Sequence, residues 1–450
     1  VSRPSVLVLG GGLSGMAAAL SLARAGWSEI TVVERGDELG GLAGSFERDG
    51  RIYPLAYHHI LHRDRTLLYF LDAIAALPAV RWRKIRMLFR LGDRLYNLGN
   101  PVDFLAFPMS LADKLRFVRL MLKSFRKSDW SDWNGRDAAE LLDSWAGPGV
   151  RRAIFEPLCR LKFDLPCEST SAAWLGARLH YREGSAPLGY VPGHNWTTLL
   201  CEGITAQLEE LGVRLLTGTT VQSLDEVGDR MGSATLSNGE RLSADLVVST
   251  LPTDIYSAMA PRDATPGLAD IRYTAVVSAI CAVEREIDPD FYWMNLASLD
   301  CNASGLFRLD SLNPSIGHEG EACLNFVNHV QSASRDYFRR ADDELMAGYG
   351  EDFEKIFGET LRPKWSRVSR IPRYSPIFVP GYRNPAVRSA TFENVWFAGN
   401  YRTFPSIAST GTALWSGVEA ADGILRERGS RCDLRREIEG FRLRSMPSEG

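Results

Sequence analysis

Several things are scarce or missing from these 450 residues. The seven cysteines, at 159, 167, 201, 281, 301, 323 and 432, form no CxxC pair. That spacing argues against a zinc site or a disulfide scaffold, and makes a reducing cytoplasm the default compartment. No apolar run reaches the ~18 residues of a membrane span. The formal net charge is only −3, so nucleic acid is not an expected partner. Val1-Ser2-Arg3-Pro4 leads straight into a strand-like stretch, so no signal peptide is expected. Internal repeats, low-complexity tracts, Ser-His-Asp triads and paired carboxylates are not evident. What is present is an ordinary globular balance, 45% hydrophobic and 24% charged, enough core for two or three domains.

The first informative run is a dinucleotide fingerprint. Val6-Leu7-Val8-Leu9 reads as a short buried strand, and Gly10-Gly11-Gly12-Leu13-Ser14-Gly15 supplies G-x-G-x-x-G. An Ala/Leu-rich helix continues to Gly26, and a second strand, Ile30 to Val33, ends in Glu34. Gly10 permits the tight turn, Gly12 lets the backbone approach a pyrophosphate, and Gly15 lets helix and strand pack closely. The helix N-terminus offers free N–H groups and a positive dipole to the phosphates. Glu34 is placed to accept hydrogen bonds from ribose hydroxyls.

The fingerprint alone serves NAD and FAD equally. The discriminating residues follow it. Arg35-Gly36-Asp37-Glu38-Leu39-Gly40-Gly41-Leu42 puts a glycine doublet just after the acid. Near the other end, Asn394 to Asn400 reads as a strand into a glycine turn at Gly399, followed by a helix start of small residues, Ala408-Ser409-Thr410-Gly411-Thr412-Ala413. Small side chains there leave backbone N–H groups and the helix dipole open to an anionic flavin ring. Together these runs resemble the flavin amine oxidase, protoporphyrinogen oxidase and phytoene desaturase superfamily. The resemblance covers nearly the whole chain through about residue 428. Ala244 to Pro252 resembles its strand returning to the FAD domain, ending at Thr250, and Thr219 to Leu224 its strand whose backbone meets adenine at Val221. The resemblance implies FAD as cofactor, held by Gly10, Gly12, Leu13, Ser14, Gly15, Glu34, Arg35, Gly40, Gly41, Leu42, Val221, Thr250, Gly399, Asn400, Thr410, Gly411 and Thr412. Two departures stand out: Asn400 replaces an aspartate, and Thr412 intervenes between Gly411 and Ala413.

The expected fold is α/β plus α+β, a Rossmann-type (glutathione-reductase-like) FAD-binding domain interleaved with a substrate domain. Residues 1–76, 187–261 and 373–428 form the first, residues 77–186 and 262–372 the second, and 429–450 a surface tail. No metal is expected.

On the substrate side, three of the seven histidines, His58, His59 and His62, fall within five residues. This run resembles a segment of UDP-galactopyranose mutase that lies near the flavin, matching at His59 and His62. Acid/base work near neutral pH and polar packing under the flavin are both open to these side chains. Tyr374 is the preferred pocket residue, and Lys364 parallels the amine oxidases' lysine near the flavin. The tryptophans Trp130, Trp133 and Trp174 fit either an aromatic pocket or plain core. Residues 81–127 carry twelve Lys/Arg against three Asp/Glu. Within this basic island, residues 81–94 read as a strand into a turn at Gly92-Asp93, and 113–128 as a helix. Leu111, Leu115, Val118, Leu122 and Phe125 share one face of the helix, with cations on the rest. Such a helix can touch an anionic membrane, steer a phosphorylated substrate, or cover a core.

The expected function is therefore an FAD-dependent oxidoreductase that takes hydride from a small-molecule substrate, lipophilic and isoprenoid-like, or phosphorylated. Two alternatives remain open: a redox-neutral, mutase-like isomerase of a nucleotide sugar, and an amine oxidase. Localisation is expected to be cytoplasmic, with peripheral membrane contact through 113–128.

Overall fold

A computed structural model describes residues 4–92, 94–181, 187–284, 287–288, 290–296 and 301–443. Asp93 of the expected turn and residues 444–450 of the expected tail lie outside the described residues.

Two sheets organise the chain. The first has five parallel strands in the order Val395–Phe397, Leu246–Ser249, Val6–Leu9, Ile30–Val33, Arg214–Leu216. Its central strands are covered on both faces, which is why they read as unbroken Val/Ile/Leu runs rather than alternating ones. The helix Leu13–Arg24 is buried from Leu13 to Ala23 and packs against the closing helix, Thr410–Glu427. Gly417 makes that packing possible. A Cβ there would fall inside van der Waals contact of the Ser14 carbonyl oxygen.

The second sheet has seven strands in the order Trp365–Pro376, Tyr273–Val283, Ala322–Val330, Gly305–Arg308, Trp293–Asn295, Met87–Leu91, Arg94–Tyr96. All its pairings are antiparallel except that of Trp293–Asn295 with Met87–Leu91. A layer of helices, including Leu111–Arg126, Ala138–Trp145, Glu156–Phe163 and Ala172–Tyr181, covers the space beside it. A three-stranded antiparallel sheet, Val221–Val227, Arg230–Leu236 and Arg241–Ser243, is tied to the parallel sheet where the Asn394 side chain bonds the Met231 backbone.

Four expectations need correction. The boundary expected at residue 373 falls inside the strand Trp365–Pro376, which pairs along its length with Tyr273–Val283. Continuous ladder hydrogen bonding, invisible in the local sequence, holds that strand in the second sheet. The expected strand at 81–94 is three short strands. Arg81–Arg83 pairs with Leu188–Tyr190, while Met87–Leu91 and Arg94–Tyr96 extend the seven-stranded sheet. The expected tail contains a helix, Asp433–Gly440, whose Leu434 and Ile438 are buried in the core around the first helix. Arg435 ties it to Asp422 at 2.6 Å and Glu437 ties it to Arg24 at 2.9 Å. Finally, the basic helix spans Leu111–Arg126, N-capped by the Ser110 side chain, and its apolar face points out. Lys114, Leu120 and Ser124 are the buried positions, and Lys114 Nζ reaches the Leu105 carbonyl at 2.5 Å.

Candidate functional site

The carboxyl ends of the parallel strands open onto a cavity of about 1630 Å³, whose far wall is the seven-stranded sheet and the helical layer. Ligands of open α/β sheets bind at such strand ends. The volume exceeds the ~1,000 Å³ upper range for a drug-sized ligand, leaving room for a dinucleotide and a second molecule.

At one end the glycines of the two motifs face each other. Gly10 has φ +101°, Gly40 +127° and Gly41 +57°, and Gly12 bridges to Gly40. A Cβ on Gly12 would meet nothing nearer than the Gly41 Cα at 4.0 Å, so it would project into the open cradle between them. The helix behind Gly12 has no side-chain cap, which leaves its first N–H groups for a ligand. Gly15 does not line the cavity. A Cβ there would overlap the Gly10 carbonyl, so its role is the close helix–strand contact. The Glu34 carboxylate is fixed by the N–H groups of Gly11 and Gly36, each donating at 2.8 Å. Thr219 donates its N–H to the Glu34 carbonyl, which brings Val221 to the same end. Thr250 donates its hydroxyl to Leu9 and Gly10 carbonyls, so it braces the turn as well as lining the cavity. Arg35, Leu42, Gly399 and Asn400 also line it. Asn400 Nδ2 donates to the Tyr374 carbonyl at 3.2 Å, tying the glycine turn to the second sheet.

The start of the closing helix differs from expectation. Thr410 lines the cavity, but Gly411 and Thr412 do not. Ser409 and Thr412 form a reciprocal capping box that satisfies each other's backbone N–H. A Cβ at Gly411 would run into the Asp64 carboxyl group. Asp64 accepts from the Leu67 N–H at 3.1 Å, the Ser409 hydroxyl at 3.4 Å and the Gly411 N–H. Burial pushes its pKa up to about 6 against those bonds. The small residue at 411 therefore makes room for a protein carboxylate, and the helix start is filled by the chain itself.

The other end is built from side chains of distant elements. Tyr57 stacks on Phe307 with ring centroids 3.7 Å apart, and His59 Nδ1 lies 3.2 Å from the Tyr292 hydroxyl. His62 meets the Trp82 ring edge-on at 6.3 Å. His58 donates from Nδ1 to the Ala56 carbonyl, and burial lowers its pKa. Tyr374 faces His329 at 5.4 Å, and Lys162 lies 5.5 Å over the Tyr374 ring. Burial raises the pKa of Tyr57, Tyr292 and Tyr374. These phenols stay protonated and can donate hydrogen bonds, but they are poor bases. Lys162 is the opposite case. Burial, then the Arg178 charge, lowers its pKa to about 7. Its modest solvent exposure is to the cavity itself, so desolvation still governs the group.

The expected residues His59, His62 and Tyr374 thus share one cavity with the glycine motifs. Lys364 does not. Its ammonium pairs with Glu321 at 2.8 Å on the surface. Trp130 and Trp133 are core, packed with Trp145, whereas Trp174 reaches the cavity wall. Sequence reasoning missed Lys162, Arg178 and His329. Each sits in a helix or strand whose polar residues follow no spacing that marks a site.

A family model for flavin-containing amine oxidoreductases matches residues 13–425. The chain belongs to that family. It is 22% identical to a 15-cis-phytoene desaturase of Solanum lycopersicum over 94% of this chain and 78% of the relative. It is 26% identical to a protoporphyrinogen oxidase of Bos taurus, over 58% of this chain and 62% of that one. The crystal structure of reduced UDP-galactopyranose mutase superposes with a TM-score of 0.74 at 16% identity, covering 98% of this chain and all of that one. That last likeness is one of fold. The protein is an FAD-dependent oxidoreductase with a flavin-binding α/β fold, and the glycine cradle above fits the dinucleotide.

Proposed function

We propose that this flavoenzyme oxidises a lipophilic, isoprenoid-like substrate that it takes from an anionic membrane surface. The observation that carries this reading is an apolar ridge turned the wrong way for a soluble core. Val102, Leu105, Leu111, Leu115, Leu122 and Phe125 are between 48% and 73% exposed. Monomeric proteins rarely expose a contiguous patch of this kind without a use for it. Arg116, Arg119 and Arg126 are exposed on the same helix, the sign that favours anionic lipid. The ridge also continues inward: Phe117, Met121, Leu122 and Phe125 line the cavity. One helix therefore supplies both an outer apolar face and the cavity's own wall. No helix among the described residues is long and apolar enough to cross a membrane, so the contact we propose is peripheral.

In this reading the segments of the five-stranded sheet hold the cofactor, and the seven-stranded sheet with the helical layer forms an interleaved substrate side. Bound FAD supplies a two-electron acceptor. The chain positions the reacting C–H and excludes water with Tyr57, Trp174 and Tyr374, while His58, His59 and Lys162 can accept or hold a proton. The likeness to 15-cis-phytoene desaturase supports an extended hydrocarbon as the oxidised portion. With Lys364 away from the site, nothing in the geometry favours an amine over it.

Flotation of the holoenzyme with phosphatidylglycerol/phosphatidylcholine vesicles tests the docking. The enzyme should float with the anionic vesicles, and the double variant Leu111→Ser/Leu115→Ser should stay behind with its flavin intact. No flotation of the unaltered enzyme would sink the membrane half of the reading. Anaerobic bleaching of the flavin band by polyprenyl compounds, and not by primary amines, tests the other half. Turnover that needs pre-reduced flavin and consumes no acceptor would instead favour the mutase-like alternative at His59 and His62.

A further inference from the structure

Two cations in the cavity have no acid to answer them. Lys162 projects from the helix Glu156–Phe163 and Arg178 from Ala172–Tyr181, and both line the cavity wall. Their contacts are rings: Lys162 over Tyr374 at 5.5 Å, Arg178 over Trp174 at 5.7 Å. Among the described residues neither has a hydrogen-bonding or ion-pairing partner. The carboxylates along the cavity are Glu34, Asp37, Glu38 and Asp64. Glu34 and Asp64 are engaged by backbone N–H groups at the dinucleotide end and under the closing helix. None of the four acts on Lys162 or Arg178, and the charge that acts on Lys162 is that of Arg178. Two more bases sharpen the imbalance. Burial and then the Lys162 and Arg178 charges drive the His329 pKa down, and Lys162 adds to the lowering at His58.

An unanswered buried charge is costly, and folded proteins pair such groups or use them. Here two like charges line one cavity wall against the rings of Tyr374 and Trp174. We propose that Lys162 and Arg178 form a subsite for the anionic head group, a carboxylate or phosphate, of an otherwise apolar substrate. This rests on the reading of the cavity as the site of a lipophilic substrate, and it narrows the class from a bare hydrocarbon to an amphiphile. The guanidinium fork suits a two-oxygen anion, and the ammonium supplies a second point charge. Ile154, Phe155, Leu158 and Met121 line the cavity beside them and would hold the chain, which trails toward the outward apolar ridge. The substrate enters head first.

The dinucleotide's own phosphates belong to the glycine cradle, so they do not answer these cations. The flavin ring, anionic when reduced, is the competing partner, and the experiment separates the two. Oxidised holoenzyme is titrated with laurate, dodecyl phosphate, dodecanol and benzoate, and the flavin difference spectrum is read. Laurate or dodecyl phosphate should bind, and the stronger of the two identifies the head group. Arg178→Gln and Lys162→Met should each weaken that anion by about tenfold or more and leave dodecanol unchanged. The two variants guard one another. Lys162→Met removes a repulsive neighbour and should fold even if Arg178→Gln does not. Laurate binding should also be tighter at pH 6 than at pH 8.5, with Lys162 facing Arg178, His58, His329 and Tyr374 as its titratable neighbours, and this pH dependence should vanish in Lys162→Met. Dodecanol binding as tightly as laurate, or unaltered anion affinity in both variants, would overturn the proposal. So would a shifted flavin midpoint potential with unaltered anion affinity, which would assign the cations to the flavin. Tight benzoate with no binding of either C12 anion would keep the anion subsite and remove the lipophilic reading on which it rests. Failed flotation alone touches only the membrane half.

Discussion

The two ends of the cavity are built by different means. The dinucleotide end works with backbone: facing glycines, an uncapped helix start, and a glutamate whose oxygens are pinned by two N–H groups. The opposite end is built from side chains contributed by a loop, two helices and a strand: Tyr57, Lys162, Arg178 and Tyr374. Backbone recognition demands that particular residues be small, at short fixed spacings. Side-chain recognition demands only that a long residue reach the right point from wherever its element happens to lie. The first is strict in sequence and uniform in chemistry. The second is loose in sequence and varied in chemistry.

The strongest way to test that contrast is to fill the cradle. Gly12→Val should give folded but colourless protein, because its side chain would project where the pyrophosphate must approach. Flavin absorbance per mole of purified chain, with circular dichroism as the control, measures it. A yellow Gly12→Val protein would break the assignment of that end. A smaller effect is expected where glycine serves packing rather than ligand. Gly417→Ala would force a Cβ against the Ser14 carbonyl and should cost about 1–3 kcal/mol in urea unfolding of the apoprotein. Equal loss of stability and flavin in both variants would erase the distinction between cradle and brace.

The smallest effect belongs to the substrate end and has the opposite sign. The folded-state pKa of Lys162, about 7, lies below the ordinary value of 10.5. Between those values the unfolded chain binds more protons, so stability rises with pH, and the cost of charging Lys162 is felt in full below about 7. Without substrate, Lys162→Met should therefore raise Tm by roughly 1–2 °C at pH 6 and by less at pH 9. A stabilised variant that binds anions poorly is the signature of a residue kept for function. A destabilised one would mean that Lys162 has a structural partner.

Legibility followed the same divide. The strand, glycine turn, helix and acid from Val6 to Glu34 could be read directly, because each step is a local rule. The glycine doublet and the Gly399 turn could be recognised, and the chain brings them to one cavity. At Gly411 and Thr412 local reading went astray. A run of small residues at a helix start looks like an anion site, but Asp64, far away in sequence, fills the space, and Thr412 is spent on a capping box. The basic helix was visible as amphipathic. Which side of it faced the core was not, because an apolar stripe looks the same whether it meets a core, a membrane or a cavity. Lys364 lies at the surface despite its position along the chain, while Lys162, which does line the cavity, sits in a helix with no local sign of it.

The sequence by itself determined that a dinucleotide is bound, and which one. Glycine spacing reports backbone geometry, and backbone geometry within a βαβ unit is local. Tertiary structure alone decided what lines the other end of the cavity. It turned the Leu111–Phe125 stripe outward, closed Gly411 with Asp64, and left Lys162 and Arg178 together without an acid. Burial and charge pairing depend on elements separated by tens to hundreds of residues, and no short-range pattern carries that information.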